Sequence, residues 1–283
     1  YENRIYNHII PEIGKIPMNK LTQNDLQQFY ARLKKGGRRR WVEHFGEGLS
    51  DRMVRSCHTT CRTALEKAVT EGLITVNPAI GCRLPPKKAK EMQVLTQDEI
   101  RRFLIQANEE GYYEFFLLEL TTGMRRGEIL GLQWKDVNFA TGELHIRRQV
   151  VKKGAQTQIT KPKTKSSIRT LILPPDMLDI LAEHKKTATC EWVFPSPVKE
   201  GEPRNPDSIY GKFQKILKRA QCKKVRFHDL RHTFATMALE NGMDIKTLSA
   251  MIGHISAETT LNIYSHITDT MQQQAAGRID REI

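Results

Sequence analysis

Residues 228–232, HDLRH, are the stretch on which the fold prediction for this chain turns. His228 and Arg231 lie three positions apart in a run of helical character, so their side chains share one helix face. Both can address one anion such as a phosphate, because arginine offers a planar fork of donors and histidine exchanges a proton near neutral pH. Taken alone, the motif also fits a helix start with an isolated ion pair, or half of a zinc site formed by His228 and His232.

The charge of the chain favours a polyanionic partner. Lys and Arg number 45 against 32 Asp and Glu among 283 residues, which gives a net charge of +13. Residues 1–90 hold 17 basic and 8 acidic residues, a difference of +9, whereas the remaining residues hold 28 and 24, a difference of +4. We therefore expect a nucleic-acid partner, with the stronger electrostatic contribution from the first third of the chain.

The cysteines and the hydropathy pattern predict a cytoplasmic protein. Five cysteines without CxxC spacing support neither a disulfide framework nor a zinc ribbon. Cys57 and Cys61 flank His58, but two small residues packed inward on a helix are favoured over metal ligation. No run approaches the roughly 18 apolar residues of a membrane helix, and no signal peptide is recognised. Because the chain starts at Tyr1, we expect a fragment without its natural N-terminus.

Residues 1–82 are predicted to form a helical bundle. In LTQNDLQQFYARL, Thr22 and Asp25 have capping-box spacing and precede an apolar stripe of helical period. A basic loop, KKGGRRRW, follows. Ser50 then opens a long helix that is expected to end near Gly72.

A second, mostly helical domain is predicted for residues 96–265, after a stiff basic linker at 83–95 that contains RLPPKKAKEM. Its first helix starts at a capping box from Thr96 to Glu99, and further helices are predicted for YYEFFLLELTT and RRGEILGL. The period changes to two in ELHIRRQVV and SIRTLIL, which predicts a small antiparallel sheet. Helical pattern returns from about Ser208. The expected fold is therefore mainly α, in two domains, with one minor sheet.

Two further segments add phosphate-binding side chains to the same domain. In TTGMRRGEI, Gly123 allows a sharp approach of the backbone and Arg125 leads into a helix, where an anion can meet unpaired N–H groups. In MIGHISAETTLNIYSHI, Tyr264 follows His254 by ten residues. Arg, His, Arg, His and Tyr in this order form a far rarer pattern than any single motif.

This series resembles the active site of the tyrosine recombinases, the phage-type integrases, in which an Arg, a Lys, a His-x-x-Arg pair, a His or Trp and a Tyr act together. The matching positions are Arg125 with Glu128, His228 with Arg231, Gly253 with His254, and Tyr264. The resemblance covers about residues 96–270. YENRIYNHIIPEIG and LTQNDLQQFY also resemble the SAM-like, core-site-binding domain of integrases from conjugative transposons and related phages.

The resemblance implies DNA cleavage and rejoining through a 3′-phosphotyrosine on Tyr264, with no metal, nucleotide or other cofactor. Arg125 and Arg231 would bind the nonbridging oxygens, on which negative charge builds up. Tyrosine is weakly acidic, so its proton needs an acceptor, for which we select His228. His254 would hydrogen-bond a phosphate oxygen.

Two supporting roles complete the predicted site. Glu128 would act indirectly, by orienting a catalytic Arg or His side chain. The leaving 5′ oxygen needs a proton, which the family takes from a Lys on a strand-turn segment. Here Lys161, Lys163 and Lys165 all qualify; Lys163 fits the family pattern best and Lys165 next.

The predicted partner is double-stranded DNA, at core sites of a mobile element in a bacterial cell. The expected phosphate contacts are Lys34, Lys35, Arg38, Arg39, Arg40, Lys87, Lys88, Lys90 and Lys165. The resemblance further implies a homo-oligomer, a tetramer in the synapse, and an accessory directionality factor as a candidate partner. Residues 266–283 are a polar helix candidate that would dock on a neighbouring protomer or pack on its own domain.

Three other functions compete with this prediction. A type IB topoisomerase shares the chemistry but relaxes supercoils as a monomer, and a non-catalytic regulator would need only the fold and the basic charge. A zinc hydrolase is disfavoured, because Asp229 stands where HExxH requires a Glu base and Arg231 would put a cation beside the metal.

Overall fold

The computed structural model divides the chain into two compact units, Tyr1–Lys90 and Glu91–Ile283. The residues that it describes are 1–87, 93–154, 156–162, 167–253, 258, 260 and 261. Within these ranges no helix has both the length and the apolar character needed to cross a lipid bilayer.

The N-terminal unit is built from helices joined by short connections, as the sequence predicts. In chain order these are α1 (Glu2–Arg4), a π-helical turn (Ile5–Ile9), α2 (Ile10–Ile13), a 3₁₀ turn (Met18–Lys20), α3 (Gln23–Gly36), α4 (Val42–Phe45) and α5 (Asp51–Thr70).

Side-chain caps fix where α3 and α5 begin. Thr22 Oγ1 accepts a hydrogen bond from the Asp25 backbone N–H at 3.2 Å, and the Asp25 carboxylate accepts from the Thr22 backbone N–H at 2.9 Å. The predicted capping box is therefore present. Ser50 Oγ likewise accepts from the Met53 N–H at 3.3 Å. Each such cap contributes about 1 kcal/mol.

The core of this unit lies between α3 and α5. Leu26 and Phe29 of α3 pack with Val54, Cys57 and Cys61 of α5, and all five are buried. Burial raises the pKa of Cys57 to about 11 and that of Cys61 to about 12, so both thiols are uncharged packing groups. This confirms the prediction that they face inward.

The second unit is mostly helical and contains short antiparallel strands. Its described elements are α6 (Gln97–Glu109), α7 (Tyr113–Thr122), α8 (Arg126–Leu130), a 3₁₀ turn (Trp134–Asp136), β1 (Glu143–Ile146), β2 (Gln149–Lys153), β3 (Gln156–Thr160), β4 (Arg169–Ile172), α9 (Pro175–Lys186), α10 (Pro206–Arg219), α11 (Phe227–Glu240) and α12 (Ile245–Ile252).

The strands form two pairs where the sequence predicts one ribbon. β1 pairs with β4, with Glu143 opposite Ile172, and β2 pairs with β3, with Gln149 opposite Thr160. ELHIRRQVV therefore breaks into two strands, and the polar segment after it supplies β3, which was not predicted. Polar residues form this strand because it is half-exposed and its partner β2 satisfies its backbone.

Helix α9 was not predicted. Two prolines, Pro174 and Pro175, stand at its start. Pro175 occupies the first turn, where no backbone N–H is needed, so it is compatible with the helix. Met177 and Leu181, four residues apart, point into the core and are buried.

Aromatic packing holds α6, α7, α10 and α11 together. The rings of Phe103 and Phe116 meet edge to face with centroids 4.9 Å apart, and those of Phe213 and Phe227 do so at 5.2 Å. Phe115 adds a further edge-on contact with Phe116 at 5.2 Å. These four helices form the rigid support on which the candidate site is built.

Candidate active site

Arg125 and Glu128 are joined by the geometry of a helix start. Arg125 precedes α8, and its backbone N–H donates to Glu128 Oε2 at 3.0 Å. The Arg125 guanidinium also donates, through Nη1, to Glu128 Oε1 at 2.8 Å. One carboxylate therefore closes the first turn of α8 and holds the arginine side chain.

Arg169 on β4 is the second partner of Glu128, and the sequence analysis missed it. Its Nη2 lies 3.0 Å from Glu128 Oε2, with the two side chains 8% and 1% exposed. Burial favours the neutral acid, but Arg169 and then Arg125 outweigh it, so the pKa of Glu128 lies below its usual value. The alternation of side chains along a strand could have indicated it from the sequence. Arg169 lies two residues before buried Leu171 and therefore shares its inward face.

Arg231 lies inside the domain and binds two backbone carbonyls. It is 2% exposed; its Nη1 donates to Gly123 O at 2.9 Å, and its Nη2 donates to Ile252 O. Arg125 Nη2 donates to the next carbonyl, Gly253 O, at 3.1 Å. The two arginines of the predicted clamp therefore meet at the C-terminal end of α12.

Gly123 makes this meeting possible. It follows the last residue of α7 with φ of 60°, a conformation that favours glycine. A Cβ at this position would overlap the Phe234 ring of α11 and approach Ile252 to 3.1 Å. The close packing of α7, α11 and α12 thus depends on the missing side chain, as the TTG sequence suggests.

His228 and Arg125 line one pocket of about 410 Å³. His228 is among the exposed residues of the chain. Desolvation, then His232, Arg231 and Arg125, lower the pKa of His228 to about 4. Solvent screens part of this effect, yet the imidazole stays neutral at neutral pH and can accept a proton.

The rest of HDLRH builds the start of α11. Asp229 accepts from the Arg226 backbone N–H at 2.7 Å and pairs with the Arg226 guanidinium at 2.6 Å. His232 is buried, with its ring centroid 5.0 Å from that of His228. The simple prediction of a helix start with an ion pair is thus partly right. Within the described residues no three His, Cys, Asp or Glu side chains converge as metal ligands do.

Glu119 is a carboxyl residue that lines this pocket and was not predicted from the sequence. It is 1% exposed on α7, and its Oε2 is buried with no hydrogen-bond partner among the residues that the structure describes. Burial raises the pKa of Glu119 well above its usual value, although Arg126 and Arg231 oppose the shift. The signal was an acid inside the apolar run FFLLELTT.

Several predicted residues lie outside the described part of the chain. They are Lys88, Lys90, Lys163, Lys165, His254 and Tyr264, together with the predicted tail helix at 266–283. Gly253, which Arg125 holds, directly precedes His254 in the sequence.

The N-terminal unit carries a basic groove. Arg52, Arg55 and Arg62 of α5 line it together with Lys87, and its volume is about 1040 Å³. Arg55 Nη1 donates to Pro85 O at 2.6 Å, which ties the segment before the linker to α5. The three arginines recur at helical spacing, a signal that the sequence analysis passed over.

The basic residues predicted to contact DNA occupy varied positions. Lys34 and Lys35 belong to the last turn of α3, so their placement in a loop was wrong; cations favour that end of a helix. Lys34 pairs with Asp51 at 2.5 Å, and Arg38 Nη2 donates to Gly48 O at 3.0 Å. Among the members of the set that the structure describes, the exposed ones are Lys34, Lys35, Arg39, Arg40 and Lys87.

Comparison with known proteins matches residues 93–271 to the phage integrase family and residues 1–34 to the N-terminal SAM-like domain of phage integrases. The tyrosine recombinase XerC-like protein of Caldanaerobacter subterraneus subsp. tengcongensis is 28% identical over 306 residues, covering 97% of this chain and 75% of that protein. The ICEBs1 integrase of Bacillus subtilis is 26% identical over 295 residues, covering 99% and 77%.

Solved structures show the same fold. The Tn1549 transposon integrase in complex with transposon right end DNA matches with a TM-score of 0.80 at 20% identity, over 97% of this chain and 92% of that one. Fold and sequence thus define a two-unit, mainly helical integrase. The chain belongs to the phage integrase family, the tyrosine recombinases, which confirms the family predicted from the motifs.

Proposed function

We propose that this protein is a site-specific DNA recombinase that cuts and rejoins duplex DNA and thereby excises and integrates a mobile element. Its family membership supports the reaction class. Two similar proteins are named as integrases, the ICEBs1 integrase and the integrase of the Tn1549 transposon. The partner follows from the same comparison and from the net charge of +13.

The proposal rests on the hydrogen bonds by which Glu128 holds Arg125 in place. Arg169 keeps Glu128 ionised in a buried position, and Glu128 holds Arg125 at the wall of the pocket that His228 also lines. A donor held in place needs no reorganisation when negative charge develops on a phosphate. Arg125 would bind one nonbridging oxygen and His254 would hydrogen-bond an oxygen of the same phosphate. Arg231, which is 2% exposed and holds two backbone carbonyls here, is assigned to the other nonbridging oxygen from the family resemblance alone.

The bond changes are a transesterification. Tyr264 Oη attacks the phosphorus and loses its proton to the neutral imidazole of His228, while the bond from phosphorus to the 5′ oxygen breaks. The leaving oxygen takes a proton from Lys163, with Lys165 as the alternative donor. The 5′ hydroxyl of a second cleaved DNA strand then attacks the phosphotyrosine. The same steps run in reverse and rejoin the DNA. The phosphodiester energy is retained, so the reaction needs no ATP. Arg and Lys side chains supply the positive charge that metal ions provide in other phosphoryl transfers, so it needs no metal either.

The domain roles follow the same proposal. Residues 1–82 would bind the core site, with the α5 groove and the predicted basic residues as the DNA-facing surface. Residues 83–95 would link this domain to the catalytic domain at 96–265. We add three arginines to the predicted phosphate contacts because they line this groove: Arg52, Arg55 and Arg62.

Assembly on DNA is part of the proposal. Solved relatives of similar fold include a lambda integrase dimer bound to a core site and a tetramer bound to a Holliday junction. We assign a tetrameric synapse to this protein, with residues 266–283 docking on a neighbouring protomer and an accessory protein setting direction. The reaction would take place in the bacterial cytoplasm, where the element and chromosome lie.

A nicked suicide duplex tests the proposal, because cleavage traps the protein on DNA. Wild-type protein should form the adduct in the presence of EDTA, and Tyr264→Phe should bind the duplex without forming it. Tyr6→Phe, on an exposed N-terminal tyrosine, is the matched control and should react normally. An adduct with Tyr264→Phe would show that the nucleophile is wrong.

Two outcomes would point to the other functions. A wild-type protein that binds DNA but is never trapped would be a non-catalytic regulator. Relaxation of supercoils by one protomer, without a complex that joins two duplexes, would identify a topoisomerase.

A further inference from the structure

Trp41 is displayed to solvent in a strained backbone conformation. It precedes α4 with φ of 61° and ψ of 34°, in the left-handed region that bulky residues rarely occupy. Trp41 is 70% exposed, and Phe45 at the other end of α4 is 67% exposed. Two large rings in water and an unfavourable backbone both cost free energy, and such strain is concentrated at functional positions.

The loop around these rings is held at its base by hydrogen bonds. The Arg38 backbone N–H donates to Glu47 O at 2.7 Å, and the Leu49 N–H donates to Leu33 O at 2.9 Å. The Phe45 N–H donates to Trp41 O at 3.1 Å and closes the single turn of α4. The exposure of Trp41 is therefore built into the folded loop.

The rings belong to a strongly basic segment. Arg39 and Arg40 directly precede Trp41 and are exposed, and the Arg38 guanidinium lies 5.3 Å from the centroid of the Phe45 ring. The loop then leads into α5, whose Arg52 faces the basic groove. Aromatic rings flanked by arginines suit a nucleic acid, which offers base faces next to phosphates.

We propose that Trp41 is an aromatic DNA contact. Its ring inserts against the bases from a groove of the duplex, while Arg39 and Arg40 bind the flanking phosphates. This inference rests on the proposed function, in which duplex DNA is the partner. A second copy of this chain fits less well, because residues 1–90 carry +9 and would meet an equally charged surface.

Tryptophan emission reports the contact directly. Trp134 and Trp192 are 9% and 4% exposed, so Trp41 is the tryptophan that acrylamide can reach. The probe is a duplex selected from a random-sequence pool by the wild-type chain. Adding this duplex should protect the emission from acrylamide, and Trp41→Phe should keep most of the affinity.

Substitutions separate the ring from the charges. Trp41→Ala should lower the affinity about tenfold without changing its salt dependence, since a ring releases no counterions. The double variant Arg39→Gln with Arg40→Gln should instead reduce the salt slope by about 1 per lost phosphate contact. Trp41→Gly should weaken binding as much as Trp41→Ala while stabilising the fold, because glycine relieves the positive φ.

Three results would overturn the inference that Trp41 contacts DNA. If Trp41→Ala binds the duplex like wild type and the duplex leaves acrylamide quenching unchanged, Trp41 does not contact DNA, whereas adduct formation at Tyr264 would still support the proposed function. If the variant binds single duplexes normally but no longer joins two of them, the ring contacts another protein copy and the inference is wrong. A wild-type chain that selects no duplex would refute both proposals.

Discussion

Arg169 in the second unit is 8% exposed and pairs with a buried carboxylate, whereas Arg62 in the N-terminal unit lies exposed along a groove. A desolvated charge acts strongly on its neighbours but requires a partner, while an exposed charge is screened and costs little to keep. The contrast shows two uses of positive charge in one chain: fixed geometry at the pocket, and electrostatic attraction along α5.

Removing the carboxylate should have the largest effect. Glu128→Ala leaves Arg169 buried without its counter-ion, so we expect the free energy of unfolding to fall by about 3–5 kcal/mol. Urea denaturation measures the change. Asp98→Ala is the control, because its pair with Arg102 is exposed and contributes less than about 1 kcal/mol. Equal losses in the two variants would show that the Glu128 pair is no stronger than a surface pair.

Replacing the guanidinium at the pocket should affect rate more than folding. Arg125→Lys keeps the charge but loses the planar fork that reaches Glu128 and a phosphate together. We expect adduct formation on the suicide duplex to slow by about a hundredfold to a thousandfold, with similar DNA affinity. Arg101→Lys, on an exposed arginine of α6, serves as the control and should react at the wild-type rate. A normal rate for Arg125→Lys would remove Arg125 from the clamp.

The buried acid of the pocket should make stability depend on pH. The raised pKa of Glu119 means that the folded state keeps its proton while the unfolded state loses it, so wild-type stability should fall as pH rises above the ordinary carboxyl range. Glu119→Gln removes this slope and should be more stable by about 1 kcal/mol at alkaline pH. Glu114→Gln, on the same helix, should follow the wild-type curve. Parallel curves for Glu119→Gln and wild type would contradict the burial argument.

The smallest effect is expected in the α5 groove. Arg62→Gln should leave the free energy of unfolding within about 0.5 kcal/mol of wild type, because the side chain is exposed. The salt dependence of duplex binding should lose about 1 in slope. Lys67→Gln lies on the same helix outside the groove and should change neither quantity. A similar loss of slope in both would mean that charge anywhere on α5 suffices.

Local chemistry explains which elements could be predicted from the sequence. The starts of α3, α5 and α6 are fixed by side chains three residues from the backbone groups that they cap, at Thr22, Ser50 and Thr96. The link between Arg125 and Glu128 is equally short. Such contacts are visible in sequence spacing, and the predicted starts of the three helices were confirmed.

Long-range partners explain what was missed. Arg169 and Glu128 lie 41 positions apart, so neither sequence context shows the other. β3 forms because β2 pairs with it, although its own residues lack an apolar alternation. Glu119 looked like one more residue of a core helix, and only the packing of α7 places it at the pocket.

The end of α12 links the roles of the two clamp arginines. Arg231 and Arg125 donate to the successive carbonyls of Ile252 and Gly253, at the negative end of the helix dipole and just ahead of the stretch with His254 and Tyr264. The side chains proposed to bind the phosphate therefore also hold the two residues that directly precede the segment with the proposed nucleophile. Losing either arginine should damage both tasks, so single and double substitutions here should be non-additive.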